Sequence, residues 1–109
     1  MTRIIITGAN GKMGNVLQSI ISKRDDCEIV AGVDINTTPN GVFPIYSSFN
    51  EVSENADVVI DFSNPALLDD LLSYSRKTST ALVIATTGYD DEQKSKINEA
   101  SKECPIFFT

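Results

Sequence analysis

Short β-branched apolar runs alternate along this chain with segments whose apolar residues recur every three or four positions. "RIIIT" (Arg3–Thr7) is apolar through its centre, as a strand covered on both faces should be. "GKMGNVLQSIISK" (Gly11–Lys23) then places Met13, Val16, Leu17, Ile20 and Ile21 on one helical stripe. "EIVAGVD" (Glu28–Asp34) reads as a second strand that ends in a carboxylate, and "INTTPNGVFPIY" after it as a loop broken by Pro39, Gly41 and Pro44. "SSFNEVSEN" (Ser47–Asn55) suits a short helix, with Ser48 and Glu51 at capping-box spacing.

The alternation continues to the end of the chain. "DVVIDFS" (Asp57–Ser63) is a third strand, and a helix follows over Asn64–Lys77 with Asn64 as N-cap and Pro65 at the first helical position. "ALVIAT" (Ala81–Thr86) is a fourth strand. A helix over Asp90–Glu103 is capped by Asp90 with Gln93 three residues on, and "PIFFT" (Pro105–Thr109) is a fifth strand. Strands alternating with helices imply a parallel sheet with right-handed crossovers. The expected fold is α/β: a Rossmann-like, doubly wound parallel sheet of about five strands in the order 3-2-1-4-5. The sequence shows no internal repeat or linker, so 109 residues make one domain. Ending on a strand that should be buried gives the look of a truncated chain.

Composition narrows the function classes. Net charge is −6, and the nine Lys and Arg residues are scattered, which argues against a nucleic-acid or membrane-surface partner. No apolar run approaches a membrane span and no signal-peptide pattern opens the chain, so a cytoplasmic protein is expected. Cys27 and Cys104 are far apart and read as reduced thiols. There is no histidine, which removes the commonest general acid and metal ligand, so no metal site is expected.

The candidate chemistry lies in "TGANGKMG" (Thr7–Gly14), which follows a strand and opens a helix. That context turns a glycine spacing into a phosphate-cradle signal. Gly8 permits the tight turn, Gly11 lets the backbone approach a pyrophosphate, and Gly14 allows close packing of the helix. The N–H groups from Asn10 to Met13, backed by the helix dipole, would meet the phosphates. Asp34 lies 20 residues beyond Gly14, where a carboxylate bonds the adenosine ribose. An acid there favours NADH over NADPH, with Lys12 the one base placed to reach a 2′-phosphate. Phe62 and Ser63, after the third strand, sit beside the glycine turn, where Phe62 fits either along a cofactor or in the core. "ATTG" (Ala85–Gly88) offers hydroxyls and exposed backbone at the next strand end.

Together, "GANGKMG", Asp34, "DFSNP" and "ATTG" resemble the dihydrodipicolinate reductase (4-hydroxy-tetrahydrodipicolinate reductase) family of bacterial lysine and diaminopimelate biosynthesis. That family reads GAxGRMG, a strand-two acid, D-F-T-x-P and G-T-T-G in the same order. The departures are Lys12 for Arg, Ser63 for Thr and Ala85 for Gly. The first two keep the chemical type; the third bears on how closely the backbone approaches the nicotinamide. The resemblance implies that Gly8, Ala9, Asn10, Gly11, Lys12 and Met13 hold the pyrophosphate and Asp34 the ribose. It implies that Ala85, Thr86 and Thr87 face the nicotinamide, and that Thr109 begins the last cofactor-facing loop. The family's catalytic, histidine-bearing segment would follow Thr109, so the resemblance makes this chain a cofactor domain without turnover, with no catalytic residue of its own. In the whole enzyme it implies hydride transfer from NADH or NADPH to a cyclic dicarboxylate, in a homotetramer built through the other domain. The chain alone then fits a monomer, though apolar surface left bare near its last strand predicts modest stability and some self-association.

Two rivals remain open at this point. An extended short-chain dehydrogenase acting on nucleotide sugars also opens T-G-x-x-G-x-x-G, and needs a helical Tyr-x-x-x-Lys. Tyr46, Tyr74 and Tyr89 are followed at that spacing by Asn50, Thr78 and Gln93. A non-catalytic nucleotide-sensing module is the other, told apart by binding CoA or a single redox form.

Overall fold

In the computed structural model, residues 2–39, 41–62, 65–86 and 88–108 are described. Among these described residues, six strands form one parallel sheet: β1 (Thr2–Thr7), β2 (Cys27–Val33), β3 (Ile45–Tyr46), β4 (Val58–Asp61), β5 (Ala81–Ile84) and β6 (Ile106–Phe108). Between them, among the same residues, run the helices α1 (Lys12–Ile21), α2 (Leu68–Thr78) and α3 (Asp91–Ala100), with 3₁₀ turns at Phe49–Glu51 and Pro65–Leu67.

The strand order is β3-β2-β1-β4-β5-β6. This is the expected doubly wound sheet, with one element more than the sequence suggested. Ile45–Tyr46, read as loop, takes the third place, and the Asp57–Ser63 run is therefore fourth, pairing with β1 in register Thr7↔Asp61. Such a short strand is held by its flanks: Gly32 N–H donates to the Pro44 carbonyl and Asp34 N–H to that of Tyr46, both at 2.9 Å.

Chain direction decides which face each helix covers. From β1 to β2 the sheet grows one way, and from β4 to β6 the other, so right-handed crossovers put α1 on one face and α2 and α3 on the opposite one. Ile5, Val33, Val59, Leu82 and Ile84 pack under Leu68, Leu71, Leu72 and Ile97 on the two-helix face. On the α1 face, Ile4 and Ile6 meet Ala9, Ile21 and Phe43. Gly32 admits this last group, since a Cβ there would lie 2.7 Å from the Ala9 methyl and 2.9 Å from the Phe43 ring. Over β4 and β5 that face keeps Val58, Ile60, Ala81 and Val83 only half-buried, and Phe107 of β6 is 72% exposed.

The helix stripe read from the sequence is only partly buried. Ile21 is buried and Leu17 half-buried, but Met13, Val16 and Ile20 are 52%, 47% and 54% exposed. The helix docks through Gly14, whose missing side chain makes it the contact point, and this turns the 13-16-20 edge aside. The Asp90–Gln93 capping box forms as expected: Gln93 N–H donates to Asp90 Oδ1 at 2.8 Å, and Asp90 N–H to Gln93 Oε1 at 3.1 Å. The Ser48–Glu51 box does not. In the tight 3₁₀ turn the Glu51 carboxylate reaches back to the Ser47 N–H (3.4 Å) and hydroxyl (3.2 Å) instead. At the second 3₁₀ turn, Pro65 precedes α2 by three residues, and Asn64 lies outside the described residues.

Candidate functional site

The turn from β1 into α1 is built by glycine geometry. Gly8 has φ of +68°, a left-handed conformation that disfavours any side chain. A Cβ on Gly14 would lie 2.3 Å from the Gly8 carbonyl oxygen and 2.7 Å from that of Ala9. The helix therefore seats its first turn directly on the backbone of the loop. At Gly11 a Cβ would come within 3.2 Å of the same Gly8 oxygen. Gly11 is also the N-cap, with extended φ/ψ and no side-chain cap. The amide groups of Lys12, Met13 and Gly14 lie in the first turn of α1, where the helix itself cannot pair them.

Two further amides of the turn are committed. Gly11 N–H donates to the Gly8 carbonyl at 2.9 Å, and Asn10 N–H to Asp34 Oδ2 at 2.8 Å. Asp34 is half-buried, and its second oxygen accepts the Asn36 N–H at 3.0 Å. The Asn10 amide adds bonds to the carbonyls of Asn36 (2.6 Å) and Thr38 (3.0 Å), closing the loop after β2 onto the turn. Ala9 is wholly buried, so only its backbone belongs to the turn surface, and its carbonyl accepts from Gln18 Nε2 at 2.7 Å. Lys12 and Met13 are exposed.

A second polar centre lies at the end of β4. Asp61 is 1% exposed, and its carboxylate accepts from three hydroxyls: Thr7, Thr86 at 2.8 Å and Tyr89 at 3.3 Å. Thr7 Oγ1 in turn accepts the Phe62 N–H at 3.1 Å, which fixes half-buried Phe62 beside the glycine turn. Ala85 N–H donates to the Asp61 carbonyl at 3.0 Å. Burial, and then the neighbouring Asp61 charge, push the Tyr89 hydroxyl up to about 12. Thr86 thus spends its hydroxyl inward and offers its backbone at the strand end. Ser63, Thr87 and Thr109 lie outside the described residues.

This arrangement fits a dinucleotide: uncapped amides for phosphate, a cradle that a side chain at Gly11 would crowd, and a carboxylate within reach of the same turn. The fold and the glycine turn are shared by many nucleotide-binding proteins; the family match decides among them. Dihydrodipicolinate reductase, N-terminus, is the family that matches, over residues 2–109. The chain belongs to that family.

Among curated relatives of this reductase-family chain is the 4-hydroxy-tetrahydrodipicolinate reductase of Caldanaerobacter subterraneus subsp. tengcongensis. It is 49% identical over 107 residues, covering 98% of this chain and 42% of that protein. The Clostridium novyi enzyme of the same name is 43% identical with the same coverage. The chain therefore spans about 42% of the length of these relatives. Solved structures show the same fold. Dipicolinate-bound dihydrodipicolinate reductase from Paenisporosarcina sp. TG-14 superposes with a TM-score of 0.77 at 24% identity, over 93% of this chain and 43% of that one. The WlbA dehydrogenase from Chromobacterium violaceum, solved with NADH and UDP-GlcNAcA, gives 0.82 at 15% identity, over 99% and 34%.

In this reductase-family chain, a cavity of about 210 Å³ opens at the carboxyl edge between Gly8, Val33 and Asp34 on one side and Ile35, Ser47, Ala66 and Leu67 on the other. The last four were not singled out from the sequence; only their position just after a strand or strand-end motif could have marked them. A larger cleft, about 470 Å³, lies at the opposite edge and includes Arg3, Tyr74, Lys77 and Thr80. It sits by the amino ends of the strands and the carbonyl end of α2, away from the glycine turn and from the edge where such sheets bind ligands.

Proposed function

We propose that residues 1–109 are the dinucleotide-binding domain of an NAD(P)H-dependent reductase acting on a small cyclic dicarboxylate. The observation that carries this reading is the uncapped start of α1 behind Gly8 and Gly11, with the Asp34 carboxylate held 2.8 Å from the Asn10 amide of the same turn. Lys12, Met13 and Gly14 amides take the phosphates, and Asp34 takes the ribose hydroxyls. A bound reduced nicotinamide supplies a hydride; the protein holds it in place and keeps water away. The chain contains no histidine, and proton delivery is assigned to residues outside this span. The family match and the named relatives support the reductase reading.

NADH is the preferred cofactor in this proposal. The residues following Asp34 are Ile35, Asn36, Thr37 and Thr38, without a base to meet a 2′-phosphate. Calorimetric titration of the chain with NADH and NADPH at low salt tests both points, with Asp34→Ala and Lys12→Ala alongside. NADH is expected to bind more tightly, and Asp34→Ala to weaken it about tenfold to hundredfold, as loss of charge-assisted hydrogen bonds worth about 1.5–3 kcal/mol requires. Lys12→Ala should reduce NADPH affinity more than NADH affinity. Failure of the folded chain to bind either dinucleotide would reject the reading.

A further inference from the structure

The dinucleotide reading fixes a direction across the sheet. Asp34 stands beyond β2 on one side of β1, and the glycine turn follows β1 itself. A dinucleotide with its ribose at Asp34 and its phosphates on the turn extends its other half over the ends of β4 and β5. The described residues waiting there are Ala85, Thr86, Gly88 and Tyr89, which belong to no helix or strand.

What holds that segment is a single residue. The Asp61 carbonyl accepts the Ala85 N–H, and its carboxylate accepts the hydroxyls of Thr86 and Tyr89. The same carboxylate accepts the Thr7 hydroxyl, one residue before Gly8. The glycine turn and residues 85, 86 and 89 are therefore referenced to one buried group. Being 1% exposed, with hydroxyl donors on both oxygens, Asp61 is not placed to touch a ligand. The strands it joins are already paired in register through their backbones, whereas the bonds to Thr86 and Tyr89 secure residues outside any strand. Fixing a residue's backbone costs conformational entropy; order imposed before the ligand arrives is not charged against binding.

We infer that Asp61 is a positioning residue: it sets Ala85, Thr86 and Tyr89, relative to the glycine turn, for the nicotinamide half of the dinucleotide. This rests on the dinucleotide reading proposed above. The role predicts an asymmetry that general loosening of the domain would not produce. ADP-ribose carries the adenosine and both phosphates but no nicotinamide, so it depends on Asp34 and the turn and not on Ala85, Thr86 and Tyr89.

The test titrates NADH and ADP-ribose into the 109-residue chain and into Asp61→Asn, Thr86→Val, Thr86→Ser and Asp34→Ala. Asp61→Asn and Thr86→Val should each lose about tenfold in NADH affinity, a change of about 1.4 kcal/mol, and stay within about twofold for ADP-ribose. Thr86→Ser, which restores the hydroxyl, should restore NADH affinity. Asp34→Ala should weaken both ligands alike. Equal losses for the two ligands in folded Asp61→Asn and Thr86→Val, or unchanged NADH affinity in both, would overturn the inference. Should Asp61→Asn not fold, the near-isosteric Thr86→Val decides the matter alone. A wild-type chain that binds ADP-ribose and NADH equally rejects the positioning role only, whereas one that binds neither rejects the dinucleotide reading itself.

Discussion

Asp34, just past β2, and Asp61, at the end of β4, stand at the tips of the two strands that flank β1, yet their surroundings differ in kind. Asp34 is half-buried and accepts two backbone amides, Asn10 and Asn36, from segments that are themselves at the surface. Asp61 is buried and accepts three side-chain hydroxyls from β1 and from the chain beyond β5. A carboxylate oxygen has lone pairs to spare after one bond, so Asp34, open to solvent, can still receive a ligand's hydroxyls. Asp61 has no such access, and its charge is satisfied from within. In the proposed reading, one strand edge carries two kinds of acid: one presents itself to a ligand, and the other presents the backbone that a ligand meets.

The largest effect expected tests the turn that Asp34 serves. Gly14→Ala puts a methyl group 2.3 Å and 2.7 Å from two carbonyl oxygens, both backbone, so the helix must lift from the loop. Overpacking of this kind costs about 3 kcal/mol or more, and urea denaturation should show it as a lower midpoint. Unchanged stability would mean that α1 is not seated on the turn as described.

Next comes the buried acid. Asp61→Ala leaves the Thr7, Thr86 and Tyr89 hydroxyls without their common acceptor, and each unsatisfied buried group costs about 1–3 kcal/mol. A total of about 3 kcal/mol is expected in the same measurement, because the small side chain admits some relaxation or water. Asp61→Asn, which retains one acceptor oxygen, should cost about half as much.

A smaller effect follows from Tyr89. Its hydroxyl titrates near 10 in the unfolded chain and is pushed up to about 12 in the fold by burial and by Asp61. The folded state thus holds the proton more tightly. The resulting stability is fully present below pH 10 and is lost as pH rises through about 12. Denaturation midpoints measured from pH 9 to 12 should fall, and Tyr89→Phe should flatten that fall while leaving any contribution from Tyr74, which burial also raises.

These two regions were not equally legible in the sequence. The glycine turn announces itself because its demands fall on the backbone: a φ of +68° at Gly8 and a carbonyl against Gly14 leave glycines at fixed spacing. Asp34 is legible by its distance from them. Asp61 is not, because Thr7, Thr86 and Tyr89 lie 54, 25 and 28 residues away, and no local spacing joins them. The signal present was phase: in "DVVIDFS" the acid shares the inward-facing alternation with Val59. β3 escaped notice because two residues between Pro44 and Ser47 show no period, and its pairing is supplied by β2. The 13-16-20 edge of α1 misled because apolar periodicity marks a face without saying whether a sheet lies beneath it.

The smallest stability effect belongs to Asp34, and it sharpens the comparison most. Asp34→Ala removes acceptors from the Asn10 and Asn36 amides, but both regions are open to water, which replaces the lost partner. About 1 kcal/mol or less of stability should be lost, well under the cost of Asp61→Ala. In binding the order reverses for ADP-ribose, where Asp34→Ala should be severe and Asp61→Asn nearly silent. The two acids are thus separated by a crossing of two measured quantities, stability and ADP-ribose affinity. A variant pair that moved both quantities in the same order would show that Asp34 is a structural acid like Asp61, and that the ribose is held elsewhere.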